Sequence, residues 1–246
     1  MANTALAVLE SALRAKKLDR TLTSALPLLE RPDAAALAPT DISALDACLR
    51  GGLPRGELSE LAGPVSSGRT TFLLTLVAAA TRRGEIAAVI DTFDQLDVAS
   101  AIAAGVDLDR LLWVRGDTGV RGAALVERAV DRALKALNLV LQAGGFGVVA
   151  LDFADVPLLA LKRIPFTTWP RIQRIVEGSD TACVLVVPQP TARSAGGLTL
   201  TLAAKTAWAG DSDRSRRFDG LEVDARIVSP RRKVEGNAHV RCGTRH

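Results

Sequence analysis

The nine residues Gly63, Pro64, Val65, Ser66, Ser67, Gly68, Arg69, Thr70 and Thr71 have the composition of a loop that holds phosphate. They match the pattern G-x-x-x-x-G-K-[ST] at every specified position but one. Glycines allow a turn tight enough to aim successive backbone N–H groups at one point, and a helix beginning near Gly68 adds its positive end. Thr70 stands where a hydroxyl would hold magnesium, and Asp152, closing the apolar run "GVVAL", stands where the second ligand of that metal is expected. The exception is Arg69 in the lysine position. It keeps the charge, but a planar guanidinium is longer than a compact ammonium and the two are not interchangeable.

These groups can meet only if a strand feeds the loop and a helix leaves it. "ELSELAG" (Glu57 to Gly63) reads as that strand and Thr70 to Gly84 as that helix, ending on a glycine. A strand at Ile86 to Asp91, a short helix over Gln95 to Gly105 and a strand at Leu111 to Gly116 follow. From Ala123 to Gln142, Leu125, Val126, Ala129, Val130, Ala133, Leu134, Leu137 and Leu141 recur at helical spacing. Two continuous apolar strands, Gly147 to Phe153 and Thr181 to Pro188, flank a helix around Trp169 to Ser179. Apolar strands separated by helices predict an α/β fold, a mainly parallel sheet covered by helices on both faces. The segments Leu198 to Gly210, Leu221 to Ser229 and Asn237 to Cys242 read as antiparallel additions. Residues 1–40 read as a short helical extension, with Leu6, Leu9 and Leu13 on one face, and a linker; residues 41–246 read as the core.

A chain of 246 residues, 48% hydrophobic and 24% charged, is long enough to bury one large core. Its three cysteines are far apart, and both histidines, His239 and His246, lie near the end, which argues against a disulfide framework and a zinc site. No apolar run is long enough to span a bilayer and no export leader opens the chain, so a cytoplasmic protein without a membrane partner is expected. The net charge of +4 carries little weight alone, but Arg231, Arg232 and Lys233 form a basic cluster able to touch DNA phosphates.

The run "ALDACLRGGLPRGELSELAGPVSSGRTT" resembles the entrance to a RecA-type core, and "AVIDTFDQLD", "GVDLDRLLWVRGDTG", "VVALDFAD" and "LVVPQ" follow in the order of that family. The similarity covers Ile42 to Lys233. Within the family the short length and eroded motifs are most similar to ImuA-type proteins, which accompany an error-prone polymerase system in DNA-damage mutagenesis. The resemblance implies a RecA-like P-loop core with ATP and Mg2+ as ligands.

It also makes the departures informative. In RecA-type recombinases the loop lysine contacts the phosphates and a glutamate after the second core strand activates the attacking water. Here Arg69 and Phe93 align with those residues, and neighbouring Asp94 would have to point differently to serve as a base. Gln189 resembles the glutamine that senses nucleotide and leads into a DNA-binding loop, yet the loop that follows, "PTARSAGG", is short and holds the single cation Arg193. The segment of the other DNA-binding loop, "ADVPLLALKRIPFTTWPRIQ", is apolar and broken by prolines, with Lys162, Arg163 and Arg171 its cations. Such a surface suits a protein partner at least as well as single-stranded DNA, and Trp169 suits a core position. Two readings result. One is a catalytically impaired adapter of DNA-damage tolerance that binds a recombinase, an error-prone polymerase accessory protein or itself, with weak DNA affinity. The other is an active DNA-dependent ATPase or recombinase paralogue.

Overall fold

The computed structural model describes residues 36–192, 197–210, 212, 214–229 and 234–243. The N-terminal helix expected around Leu6 to Leu13, the basic cluster Arg231 to Lys233, and Arg193 fall outside them.

An eight-stranded sheet runs in the order β10-β9-β8-β3-β7-β6-β4-β5. Its parallel part comprises β3 (Glu57–Ala62), β4 (Ile86–Asp91), β5 (Leu111–Arg115), β6 (Phe146–Asp152) and β7 (Ala182–Val187). β8 (Thr199–Ala209) joins β3 in parallel, and β9 (Arg217–Ser229) and β10 (Val234–Gly243) extend the sheet antiparallel from it. A small antiparallel pair, β1 (Leu37–Ala38) and β2 (Leu53–Pro54), precedes the sheet, with α1 (Ser43–Leu49) between its strands.

Each apolar strand divides its residues between two layers, because successive side chains leave opposite faces. Val148 and Ala150 of β6, with Ala182, Val184 and Val186 of β7, join a core built with α2 (Arg69–Arg82). Val149, Leu151, Cys183, Leu185 and Val187 join a second core built with two helices, Ala123–Ala143 and Thr168–Val176. In chain order the remaining helices are α3 (Val98–Ala103), α4 (Ala123–Ala143), α5 (Leu158–Arg163) and α6 (Thr168–Val176). Among the described residues no helix is long and apolar enough to cross a membrane.

The structure corrects the expected face of α4. Leu125 is 49% exposed, whereas Val140 is buried. The stripe through Val126, Ala129, Val130, Ala133, Leu137, Val140 and Leu141 follows the 3.6-residue repeat, and Leu125 stands about 100° off Val126 around the helix. Helix α5, which the apolar and proline-broken reading of its segment did not anticipate, fits between Pro157 and Pro165. Trp169 is a core residue, 2% exposed. Cys183 is fully buried, and burial pushes its thiol up to about 12, so it packs rather than reacts.

The strand ends remote from the loop are held by Arg55. Its Nε donates to the Leu37 carbonyl at 3.1 Å, Nη1 to those of Gly147 and Asp180 at 3.2 and 2.7 Å, and Nη2 to Glu85 Oε1 at 2.7 Å. One guanidinium thereby satisfies carbonyls from three separate chain segments while its charge is balanced. Arg55→Ala should lower the free energy of unfolding by about 3 kcal/mol in a urea titration. Arg55→Lys should recover only a minor part, since an ammonium lacks the fork that spans these acceptors.

Candidate nucleotide site

The loop after β3 is built by two left-handed residues, Ser66 (φ 61°) and Gly68 (φ 89°), the second forming the N-cap of α2. At Gly63 a Cβ would lie 2.4 Å from Ser67 Oγ and 2.8 Å from the Leu202 carbonyl oxygen, so only glycine admits this closeness to β8. At Gly68 a side chain would also press on Val223 of β9, 3.2 Å away. No side chain caps the N-terminus of α2, and no acidic residue lies in its first turn. The helix thus keeps its positive end and orphan N–H groups for an anion.

A cavity of about 550 Å³ opens over this loop, lined by residues 65–71 together with Gln95, Leu96, Asp152, Asp155, Phe218 and Leu221, among others. Thr70 and Asp152, expected to share a metal, both line it. The Ser67 hydroxyl is buried there without a hydrogen-bond partner. An orphaned buried hydroxyl is costly unless something fills its valence, so this donor set fits an anionic ligand. A hard cation such as Mg2+ takes oxygen ligands and keeps several waters. One threonine hydroxyl, one carboxylate and the oxygens of a phosphate chain meet that requirement.

Arg69 is 6% exposed and donates through Nη1 to the Ala154 carbonyl at 3.1 Å. Burial lowers its pKa, while the nearby Asp155 and Asp152 charges act to raise it. Its guanidinium is therefore tied to the turn after β6. Asp152 responds to the same surroundings. Burial first, then the Asp91 and Asp155 charges, push its carboxyl up to about 6, against the Ala154 N–H and the Arg69 charge, which favour ionisation. The Asp152 Oδ1 accepts that N–H at 2.8 Å.

The positions aligned with a water-activating base are engaged elsewhere. Phe93 packs against the core beneath α4 and α6. Asp94 has left-handed backbone (φ 57°) and accepts both Arg115 Nε and Nη2 at 2.7 Å. The hydrogen bond from Arg115 is the main influence holding its carboxyl below the usual range, which makes it a poorer proton acceptor. Neither residue lines the cavity over the loop. Gln189 is exposed just beyond β7, and it too lies outside the lining. Arg163 is paired with Glu127, while Lys162 and Arg171 are exposed.

Several residues of the site escaped the sequence reading. Asp91 is buried and accepts the N–H groups of Gln95 and Leu96 at 2.9 and 2.8 Å and the Trp113 indole at 3.1 Å, shaping the turn that forms one wall of the cavity. Its place at the end of a buried strand was the available signal. Phe218 and Leu221 reach the cavity from β9, and no local signal marks such a contact.

The strand, the turn with left-handed residues and the uncapped helix, set at one edge of a parallel sheet, define a P-loop α/β domain. Residues 16–150 match the RecA N-terminal domain family, and the chain belongs to it. It is 40% identical over 131 residues to the protein RecA of Salinispora tropica, covering 52% of this chain and 34% of that relative. It is also 41% identical over 118 residues to the protein RecA of Clavibacter michiganensis, covering 48% and 30%, and 36% identical over 146 residues to that of Thermus thermophilus, covering 58% and 40%. The chain thus spans well under half the length of these relatives.

Behind the loop, Glu60 of β3 is 2% exposed, and its Oε1 accepts the N–H groups of Thr191 and Ala192 at 2.5 and 2.9 Å. Burial raises its pKa above the usual value; these two bonds and the Thr199 hydroxyl oppose the shift. A carboxyl with a raised folded pKa contributes most below its unfolded pKa and loses that contribution as pH rises through the folded value. Glu60→Gln should therefore be more stable than the native chain by about 1–2 kcal/mol at pH 7.5. Chemical denaturation at pH 4 should show that advantage gone.

Proposed function

We propose that this chain is a RecA-like accessory protein of DNA-damage tolerance, of the ImuA type, which binds nucleotide but hydrolyses it little or not at all. The observation that carries the reading is the state of the two departing positions. The cation of the phosphate loop is bonded inward to Ala154, and Asp94, the carboxylate that follows Phe93 in the chain, is held by Arg115. A phosphate cradle of backbone N–H groups remains, with Thr70 and Asp152 to hold Mg2+. The metal, when bound, neutralises charge between phosphate oxygens. Of the two carboxylates lining the cavity, Asp152 is assigned to the metal and Asp155 lies close enough to the Arg69 guanidinium to act on its charge.

The protein partner in this reading is a recombinase or an error-prone polymerase accessory protein, with self-association through the same RecA-type surfaces. Leu158, Leu159 and Phe166, exposed by 41%, 64% and 60%, supply an apolar surface around α5 suited to such contact. DNA affinity is weak and electrostatic, carried by Arg231, Arg232 and Lys233.

Purified protein should turn over ATP at or near background, with or without single-stranded DNA. Turnover at the rate of an ordinary recombinase, abolished by Asp152→Ala, would establish the alternative, an active DNA-dependent ATPase or recombinase paralogue. Partner capture should be lost in Leu159→Glu/Phe166→Glu and retained when Arg231, Arg232 and Lys233 are neutralised. That neutralisation should instead remove DNA binding, which in the native chain should fall steeply between two salt concentrations. Tight, salt-resistant DNA binding with no captured protein would reject the adapter reading.

A further inference from the structure

Two side chains of the candidate nucleotide site hold the backbone of Ala154 from opposite directions. Its N–H donates to Asp152 Oδ1 at 2.8 Å, and its carbonyl accepts Arg69 Nη1 at 3.1 Å. The turn that carries it is closed by the Val156 N–H, which donates to the Phe153 carbonyl at 3.1 Å, and is joined to β7 by the Phe153 N–H, 2.9 Å from the Val186 carbonyl. Thr92 Oγ1 donates to the Asp152 carbonyl at 2.6 Å. The main chain that carries the Asp152 carboxylate is thereby fixed. Oδ1 is taken by the Ala154 N–H, and among the described residues no hydrogen bond engages Oδ2. A carboxylate with one oxygen tied down presents the other in a set direction, as the outer partners of metal-binding carboxylates commonly arrange.

We propose that Arg69 is a positioning residue of the metal site: by holding the Ala154 carbonyl it sets the Asp152 carboxylate toward Mg2+, and it is not itself a ligand of the phosphates. This rests on the nucleotide-binding reading above and assigns a role to the residue that departs from the P-loop pattern. Arg69 is 6% exposed, and the charges that act on it are those of Asp155 and Asp152. Leaving Ala154 for a phosphate would strip the turn carbonyl of its donor and draw the guanidinium away from two carboxylates, which is costly in a buried place. The anion site does not depend on that cation, because the N-terminus of α2 keeps its orphan N–H groups and the buried Ser67 hydroxyl lacks a partner. A purely structural strut would account for a bond to some carbonyl of the turn. It would not account for the bond falling on the residue whose N–H orients the carboxylate that lines the cavity, or for the charges of Arg69 and Asp152 each supporting the other.

The test titrates the full chain calorimetrically with ATP, once in chelator and once with excess Mn2+, and follows the bound Mn2+ by EPR. Native protein should bind ATP more tightly with the metal than without it. Arg69→Lys keeps the charge but loses the fork. It should lose about tenfold or more of the gain that Mn2+ gives, the size of effect that outer partners of metal ligands have, and should change the spectrum of the bound ion. Its affinity for ATP in chelator should stay equal or tighten, which also shows that the variant is folded. Asp155→Asn, which removes one charge acting on the guanidinium, should lose a smaller part of the same gain. If Arg69→Lys keeps the full gain, or if it weakens binding in chelator, the positioning role is overturned, the second result marking Arg69 as a phosphate ligand. If native protein binds ATP with no gain from Mn2+, the role is overturned and the nucleotide reading stands. If native protein binds ATP under neither condition, that reading itself fails and the positioning role falls with it.

Discussion

Parallel pairing of buried strands is the constraint on which this molecule depends. β3 lies between β7 and β8, and β6 between β7 and β4, all running the same way. Strands covered on both faces cannot slip by one residue without exchanging every side chain between layers. Their C-terminal ends are therefore held at one edge, and the loops that leave them are delivered there together. The register sets Asp91 beside Asp152, and Thr92 donates to the Asp152 carbonyl at 2.6 Å. Part of the upward push on the Asp152 carboxyl is a direct consequence of that pairing.

The charge of Arg69 is the second organising element. A cation at the first position of a helix is opposed by the positive helix end, and burial adds to the cost. The Ala154 carbonyl and the charges of Asp155 and Asp152 offset both. The replacement of lysine by arginine thus reaches beyond one contact, coupling the phosphate loop to the turn after β6. The turn after β4 is organised differently. Phe93 contributes an apolar ring to the core, and the carboxylate next to it is neutralised by Arg115, whose guanidinium carbon lies 4.6 Å from the Trp113 ring centroid. Both side chains are thus engaged by other parts of the fold, Arg69 by the turn after β6 and Asp94 by β5.

The order of elements, the phosphate loop and the antiparallel end were legible from the residues alone, because each rests on a local rule. A run of alternating or continuous apolar residues makes a strand, a 3.6-residue repeat makes a helix, and glycines at Gly63 and Gly68 make a tight turn. Helix α5 was not legible because a six-residue element between prolines presents too little periodicity to recognise. Tertiary structure alone decided which layer each residue of an apolar strand enters, and that Leu125 lies off the buried stripe. It alone turned Arg69 toward Ala154, gave Asp94 to Arg115, set Glu60 beneath the chain after β7, and brought Phe218 to the phosphate loop. Each of these joins residues from different strands or helices. Such contacts depend on register, packing and charge balance among segments distant along the chain, which no local pattern encodes.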